Sequence, residues 1–311
     1  MSNPRVPFQL SSERPPLMPL DGGHILAHIV VNVEHWPFDR PMPRTLLTPP
    51  HGKETVPDVP NFCWAEYGLR CGLPRMIEAL RSRGLRASAS LNASVIDSHP
   101  SAAQAILEAG WEFIGHGVQQ QSLAQLDGHA QAEAIVKSLD RIAAFTGVRP
   151  RGWLSPGLRE AADTPDILAA AGIDHVFDWC LDDLPCWMQT EHRSLMALPY
   201  MLEVNDSVIY AVEKHSSPEM KLRLERTLEV FAREVARLGQ PRVLAIGLHP
   251  HLMGVPHRFG DFEAMLDLLL AHPMVRVVTG SSLHDWYAAQ VPAPAPLVAR
   301  SGDVPFVPMP Q

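Results

Sequence analysis

The stretch "HILAHIVVNVEHW", residues 24–36, decides the fold class. Residues 24–34 form a short apolar run rich in β-branched side chains, the pattern of a strand buried on both faces of a parallel sheet. Asn32, Glu34 and His35 then bring polar chemistry to its end. Outward from this run the same pattern recurs. Strands are expected at residues 85–93, 111–117, 149–157, 173–179, 195–200, 207–212, 241–251 and 274–280. Helices are expected at 62–84, 100–110, 129–147, 164–172, 218–239, 261–272 and 282–290, the first broken near Gly72-Leu73-Pro74. Strands that alternate with helices imply a mainly parallel sheet, open or closed into a barrel.

Residues 35–60 hold too many prolines for one regular element, and a loop of this length in a compact domain is more often functional than idle. The chain has 311 residues, 46% hydrophobic and 19% charged, enough to bury a large core. Its net charge of -8, with no long basic run, argues against nucleic acid and anionic membrane surfaces as partners. Residues 1–23 lack the apolar core of a signal peptide, and no run of about 18 apolar residues suggests a membrane span. Cys63, Cys71, Cys180 and Cys186 form no CxxC pair and read as reduced packing residues. A cytoplasmic location is expected. The segment from residue 291 to 311 carries six of the 30 prolines and is expected to lie irregularly over a surface or a neighbouring subunit. The expected organisation is an extension at 1–23, a domain at 24–290 and a tail at 291–311. The tail and the apolar "DLLLAH" segment also lead us to expect a homo-oligomer, a dimer or tetramer.

In parallel α/β folds the positions just beyond the carboxyl ends of strands line the active site. Here those positions hold Asn32, Glu34 and His35, then His116, then Trp153 and Ser155, then Asp178, Trp179, Asp182 and Asp183, then His249 and His251. A lone histidine at a strand end is commonly a structural hydrogen-bonder. Agreement among five strand ends makes that reading poor for the whole set. No phosphate-binding glycine loop, GxSxG elbow, HExxH or dinucleotide fingerprint is present.

Over roughly residues 24–287 the chain resembles the polysaccharide deacetylase (NodB-homology) superfamily, within it the branch of metal-independent-type allantoinases and cyclic imide hydrolases. The resemblance rests on "VNVEHW", "AEYGLRCGLPRMIEAL", "EFIGHG", "RGWLSPGLRE", "FDWCLDDLPCWM" and "LHPHLMGVPHRF", in that order. It implies a single-domain α/β fold, an incomplete or distorted (β/α) barrel of about seven strands. It also implies a hydrolase of non-peptide carbon–nitrogen bonds. The chain departs from the carbohydrate deacetylases of the superfamily in two places. Asn32 and Glu34 stand where those usually carry an Asp pair, and Gln120 stands where a second histidine follows His116.

Two chemistries follow from this. In one, a weakly held divalent metal such as zinc is bound by Glu34, His116 and either Gln120 or a nearby histidine. In the other, Glu34 acts as general base on water and His249 protonates the leaving nitrogen. A salt bridge to Arg40, Arg70 or Arg75 is the competing reading of Glu34. Trp36, Trp153, Ser155, Trp179, Asp183, His251 and His257 are expected to contact substrate, with Asp182 or Asp183 orienting histidines; for Trp153 alone, burial in the core is an equal reading. The leading expectation is a cytoplasmic enzyme that opens a small cyclic amide, imide or ureide. The alternatives are an N-deacetylase of a sugar or oligosaccharide, and a family member that binds a ligand without turnover.

Overall fold

In a computed structural model that describes residues 3–49, 52 and 55–297, nine strands form one sheet. They are β1 (Ile25–Val33), β2 (Ser88–Leu91), β3 (Glu112–Gly115), β4 (Gly152–Trp153), β5 (His175–Val176), β6 (Cys186–Met188), β7 (Leu195–Ala197), β8 (Arg242–Leu248) and β9 (Val275–Val278). Their order across the sheet is β6-β7-β5-β4-β3-β2-β1-β8, with β9 also on β1. All pairs are parallel except β6 with β7. The result is a curled half-barrel with helices packed outside, the fold expected of a NodB-type domain.

β1 organises this sheet. One edge pairs with β8 over Ile25–Val31, and the other edge is divided, Ile25–His28 against β9 and Val30–Val33 against β2. All nine residues are buried, because both faces are covered. Its odd positions, Ile25 to Val33, join a core with Leu73, Met76 and Leu80 and with Met220 and Leu224 of the outer helices. Its even positions face the barrel interior, where Leu26 and Val30 meet Ile114, Phe177 and Val243. His28, Asn32 and then Glu34 continue that inward row, so the interior becomes polar near both ends of the strand.

Three local readings of the sequence are corrected. "SVIYAV" is not a strand: Ser207–Val212 form a π-helical turn. The apparent break in the first helix is a π turn at Gly68–Gly72 joining Val59–Tyr67 to Leu73–Arg81. A β-carbon at Gly68 would lie 2.4 Å from the backbone nitrogen of His251, and one at Gly72 would lie 2.1 Å from the Pro250 carbonyl. Only glycine allows that approach. The short strand β6 was not apparent in the sequence, and it forms a hairpin with β7.

The terminal segments pack on the domain. Arg5 reaches Asp166 at 2.5 Å, Arg14 reaches Asp182 at 2.9 Å, and the Leu17 amide donates to Gln240. The start of the proline-rich tail lies along the β6–β7 hairpin, with Val291 accepting from Trp187 Nε1 and the Leu297 amide donating to Thr190. The remainder of the expected tail, residues 298–311, lies outside the described residues.

At the lower end of the barrel, His28 Nε2 lies 2.8 Å from Ser88 Oγ, whose hydroxyl donates to Glu112 at 2.6 Å. Glu112 also accepts from the Gly280 and Ser281 amides. His175 is fully buried, with no hydrogen bond at either ring nitrogen among the described residues. Burial lowers the pKa of His28 to about 4 and that of His175 to about 3. The sign follows from linkage. Below about pH 6.5 an unfolded histidine takes up a proton that the folded one refuses, so each ring costs stability as the pH falls toward 4. His175→Phe removes one such ring while filling similar space. Relative to wild type, its unfolding free energy should rise as the pH is lowered from 7 to 5, by up to about 1.4 kcal/mol per pH unit in the difference, and its melting temperature should rise with it. A difference in thermal unfolding that ignores pH would contradict this account.

Candidate active site

The polar row of β1 surfaces in a cavity of about 280 Å³ at the carboxyl ends of the strands. Its lining includes Asn32 and Glu34 after β1, His116 and Gln120 after β3, Ser155 after β4, Tyr200 after β7 and His249 after β8. A parallel sheet brings these side chains together because every such strand ends on the same rim.

Glu34 Oε2 accepts a hydrogen bond from Trp36 Nε1 at 2.8 Å, which leaves Oε1 toward two imidazoles. His249 Nε2 stands 3.5 Å away and His116 Nε2 3.9 Å away. On its other side His249 is anchored by Asp206, which accepts from the His249 amide at 2.6 Å and pairs with Nδ1 at 2.7 Å. Burial opposes charge on the ring, yet the negative charges of Asp206 and Glu34 push the His249 pKa up to about 9. Burial likewise opposes ionisation of Glu34, and the charge of His249 with the facing rings overcomes it, holding the carboxyl well below the usual range. At neutral pH the site therefore contains a carboxylate facing an imidazolium. His116 is held by a 2.6 Å contact from Nδ1 to the Leu154 carbonyl; the Nδ1 proton is donated there, leaving Nε2 as a bare acceptor.

Other residues fix this geometry. Asn92, fully buried after β2, accepts from the His35 amide at 2.9 Å and donates to the His116 carbonyl, tying the ends of β1 and β3 together. Asn32 donates to Tyr200 Oη at 2.8 Å and to the Leu248 carbonyl at 3.1 Å. A β-carbon at Gly247 would meet Asn205 Nδ2 at 2.4 Å and Tyr200 Oη at 2.8 Å, so glycine there lets both approach. Ser155 donates its amide to Asp178 at 2.8 Å; behind it Glu160 is pushed up to about 10 by burial and by Asp178.

Several residues expected at the substrate do not line the cavity. Trp153 is wholly buried in the core and donates to Ser155 Oγ, its ring lying where a β-carbon at Gly115 would be 2.6 Å away. Trp179 is bonded to Glu160 at 2.6 Å. Trp36 acts on Glu34 and not on the open space. Asp183 lies at the opposite end of β8, where its carbonyl accepts from the Val243 amide and its carboxyl is 3.8 Å from Arg242. The chain descends there to enter β6, which takes Asp182 and Asp183 away from the histidines. His251 packs edge-on against Trp36 and Trp64, and burial with the nearby charge of His249 lowers its pKa to about 3. His257 is exposed in the first turn of the helix Pro256–Ala271. Arg40, Arg70 and Arg75 do not pair with Glu34; Arg70 bonds Glu66. Asp206, Tyr200, Asn205, Arg44 and Arg159 were missed. The Asn205-Asp206 pair, a common way to open a helical turn, was the available signal.

A tightly held metal needs several charged or imidazole donors converging on one point. His116 Nε2 and Gln120 Oε1 are buried without a hydrogen-bond partner, and with Glu34 they make one imidazole, one amide and one carboxylate. Among the described residues no group of three His, Cys, Asp or Glu is placed to hold an ion. The positive His249 ring, 3.5 Å from Glu34, opposes a cation there. These residues do not fit a tightly held zinc.

Residues 61–176 match the family model described as polysaccharide deacetylase. A putative polysaccharide deacetylase of Schizosaccharomyces pombe is 25% identical over 246 residues, 73% of this chain and 76% of that protein. A probable polysaccharide deacetylase from Pseudomonas aeruginosa PAO1 superposes with a TM-score of 0.78 at 21% identity, covering 88% of this chain and 93% of that one. An allantoinase superposes with a TM-score of 0.77 at 21% identity, covering 94% and 96%.

Gln120→His would supply a second imidazole next to His116. It should take up zinc, measured by metal analysis after dialysis, at concentrations where the wild type takes up none. Equal zinc content in both proteins would show that residue 120 does not face the Glu34–His116 pair.

Proposed function

We propose that this chain, whose residues 61–176 match the polysaccharide deacetylase model and whose half-barrel resembles those of a deacetylase and an allantoinase, is a hydrolase of non-peptide carbon–nitrogen bonds that opens a small cyclic amide, imide or ureide. The observation that carries this reading is the row Glu34–His249–Asp206, an ionised base and a charged acid side by side at one small cavity.

The chemistry follows from the two protonation states. Water attacks the ring carbonyl as Glu34 removes its proton, forming the new C–O bond and a tetrahedral oxyanion. Collapse of that oxyanion breaks the C–N bond, and His249 Nε2 delivers its proton to the departing nitrogen. The proton on Glu34 returns to His249 across 3.5 Å, which restores the starting charges. Asp206 keeps the ring charged and oriented throughout. His116 Nε2 accepts a hydrogen bond from the attacking water or from the ring N–H. Neutral amides of Asn32, Gln120 and Asn205 suit the carbonyl and N–H edge of such a ring.

A second reading, N-deacetylation of a sugar, is favoured by the polysaccharide deacetylase match and would use the same two groups. A cavity of about 280 Å³ is of the size of a single small ring, which supports ring opening over the second reading.

Glu34→Gln should lower kcat/KM on a cyclic imide or hydantoin by at least about 100-fold, the usual scale for loss of general base catalysis. His116→Ala should lower turnover by orders of magnitude with a melting temperature shift of only a few degrees. Retained turnover in either variant would overturn the mechanism.

The acid must be charged to act, so kcat/KM should fall above about pH 9, with an apparent pKa that belongs to the Glu34–His249–Asp206 row. Asp206→Asn removes the charge that raises it, and the alkaline limb should move down by a pH unit or more. A limb that stays in place would remove His249 from the role of acid.

A further inference from the structure

We propose that the natural substrate ring bears a carboxylate, which Arg44 and Arg159 receive at the cavity; this specificity rests on the ring-opening reading above. Both arginines line the same space as Glu34 and His249. They arrive from separate parts of the chain, Arg44 from the loop after β1 and Arg159 from the turn after β4.

Arg5, Arg83, Arg141, Arg151 and Arg242 each meet a carboxylate at 2.5–2.9 Å. Arg44 and Arg159 have neither an ion pair nor a hydrogen bond among the described residues. Arg40, Arg86, Arg226, Arg233 and Arg237 also lack an ion pair or hydrogen bond among the described residues, but none of these lines the cavity, and it is the position of Arg44 and Arg159 that sets them apart. The charges deeper in the site do not answer them. Among the described residues Glu34 is the single acidic one in the lining, and it faces the imidazolium of His249, which Asp206 holds from behind. The mouth thus presents two guanidinium groups that no carboxylate of the described residues engages.

A guanidinium presents paired N–H donors that fit the two oxygens of a carboxylate. A neutral ring leaves both arginines without partners. A ring with one carboxylate occupies one of them on binding, and ring opening at a carbonyl creates a second carboxylate, which the other can take. The two arginines therefore match the charge of the product as well as that of the substrate. The remaining polar lining, amides and hydroxyls, reads the uncharged part of the ring.

Matched pairs of rings test this: dihydrouracil against dihydroorotate, and 5-methylhydantoin against hydantoin-5-acetate. For the wild type, kcat/KM should favour the acidic member of a pair by at least about tenfold, the scale of one charge-assisted hydrogen bond. Arg44→Gln and Arg159→Gln should each shrink that ratio, and the double variant should bring it close to one. Titration calorimetry with dihydroorotate should show binding to the wild type and its loss in the double variant. Opening of neutral rings without preference for acidic ones, or a preference indifferent to both arginines, would overturn the proposal and leave ring opening intact. Carboxylate binding that depends on the arginines without opening of any ring would support the anion site and sink the ring-opening reading. Absence of both turnover and binding would overturn both.

Discussion

An ionised carboxylate with 8% of its side chain exposed survives only beside a positive partner, and Glu34 has one in His249. That pairing sets requirements on much of the structure. The imidazole must be charged, so Asp206 must sit behind it. Asp206 is fully buried and can be tolerated there because the His249 amide and ring both donate to it. The strand ends must be held in register, which Asn92 does across β1 and β3 and Asn32 does toward Tyr200 and β8. Breaking the pair on one side leaves an uncompensated charge on the other, so the site is built as a unit.

Much of this was legible in the chain. The apolar β-branched run at residues 24–34 reads as a doubly covered strand, and β1 is buried along its whole length. Once the elements alternate, topology alone brings Glu34, His116 and His249 to one rim, whatever the details of packing. The even-numbered row through His28 and Asn32 to Glu34 was likewise implied by the two-residue repeat of a strand.

What escaped the sequence depended on tertiary context. "SVIYAV" has the composition of a strand, and it winds into a π turn with Asp206 at its head and Ser207 and Val208 in the cavity wall. Nothing local distinguishes these outcomes. The tryptophans were misplaced for a related reason: a large ring near a strand end can fill the core or face a ligand. Trp153 is drawn inward by the space that Gly115 leaves. Asp182 and Asp183 looked like partners for histidines because they follow a strand, but the unanticipated β6–β7 hairpin carries them down toward Arg14 and Arg242.

The contact of the Gly68–Gly72 turn with the loop 249–254 has an evolutionary consequence. Backbone there touches backbone, so neither wall has slack and no side chain can be gained on that side. Side chains such as Leu202, Val208 and Val212, and the segments that carry Arg44 and Arg159, are the parts of the wall with freedom to change, while Asp206 and the loop that holds His249 are tied down. Reaction type and substrate choice are then encoded in separate stretches of one chain, free to diversify at different speeds.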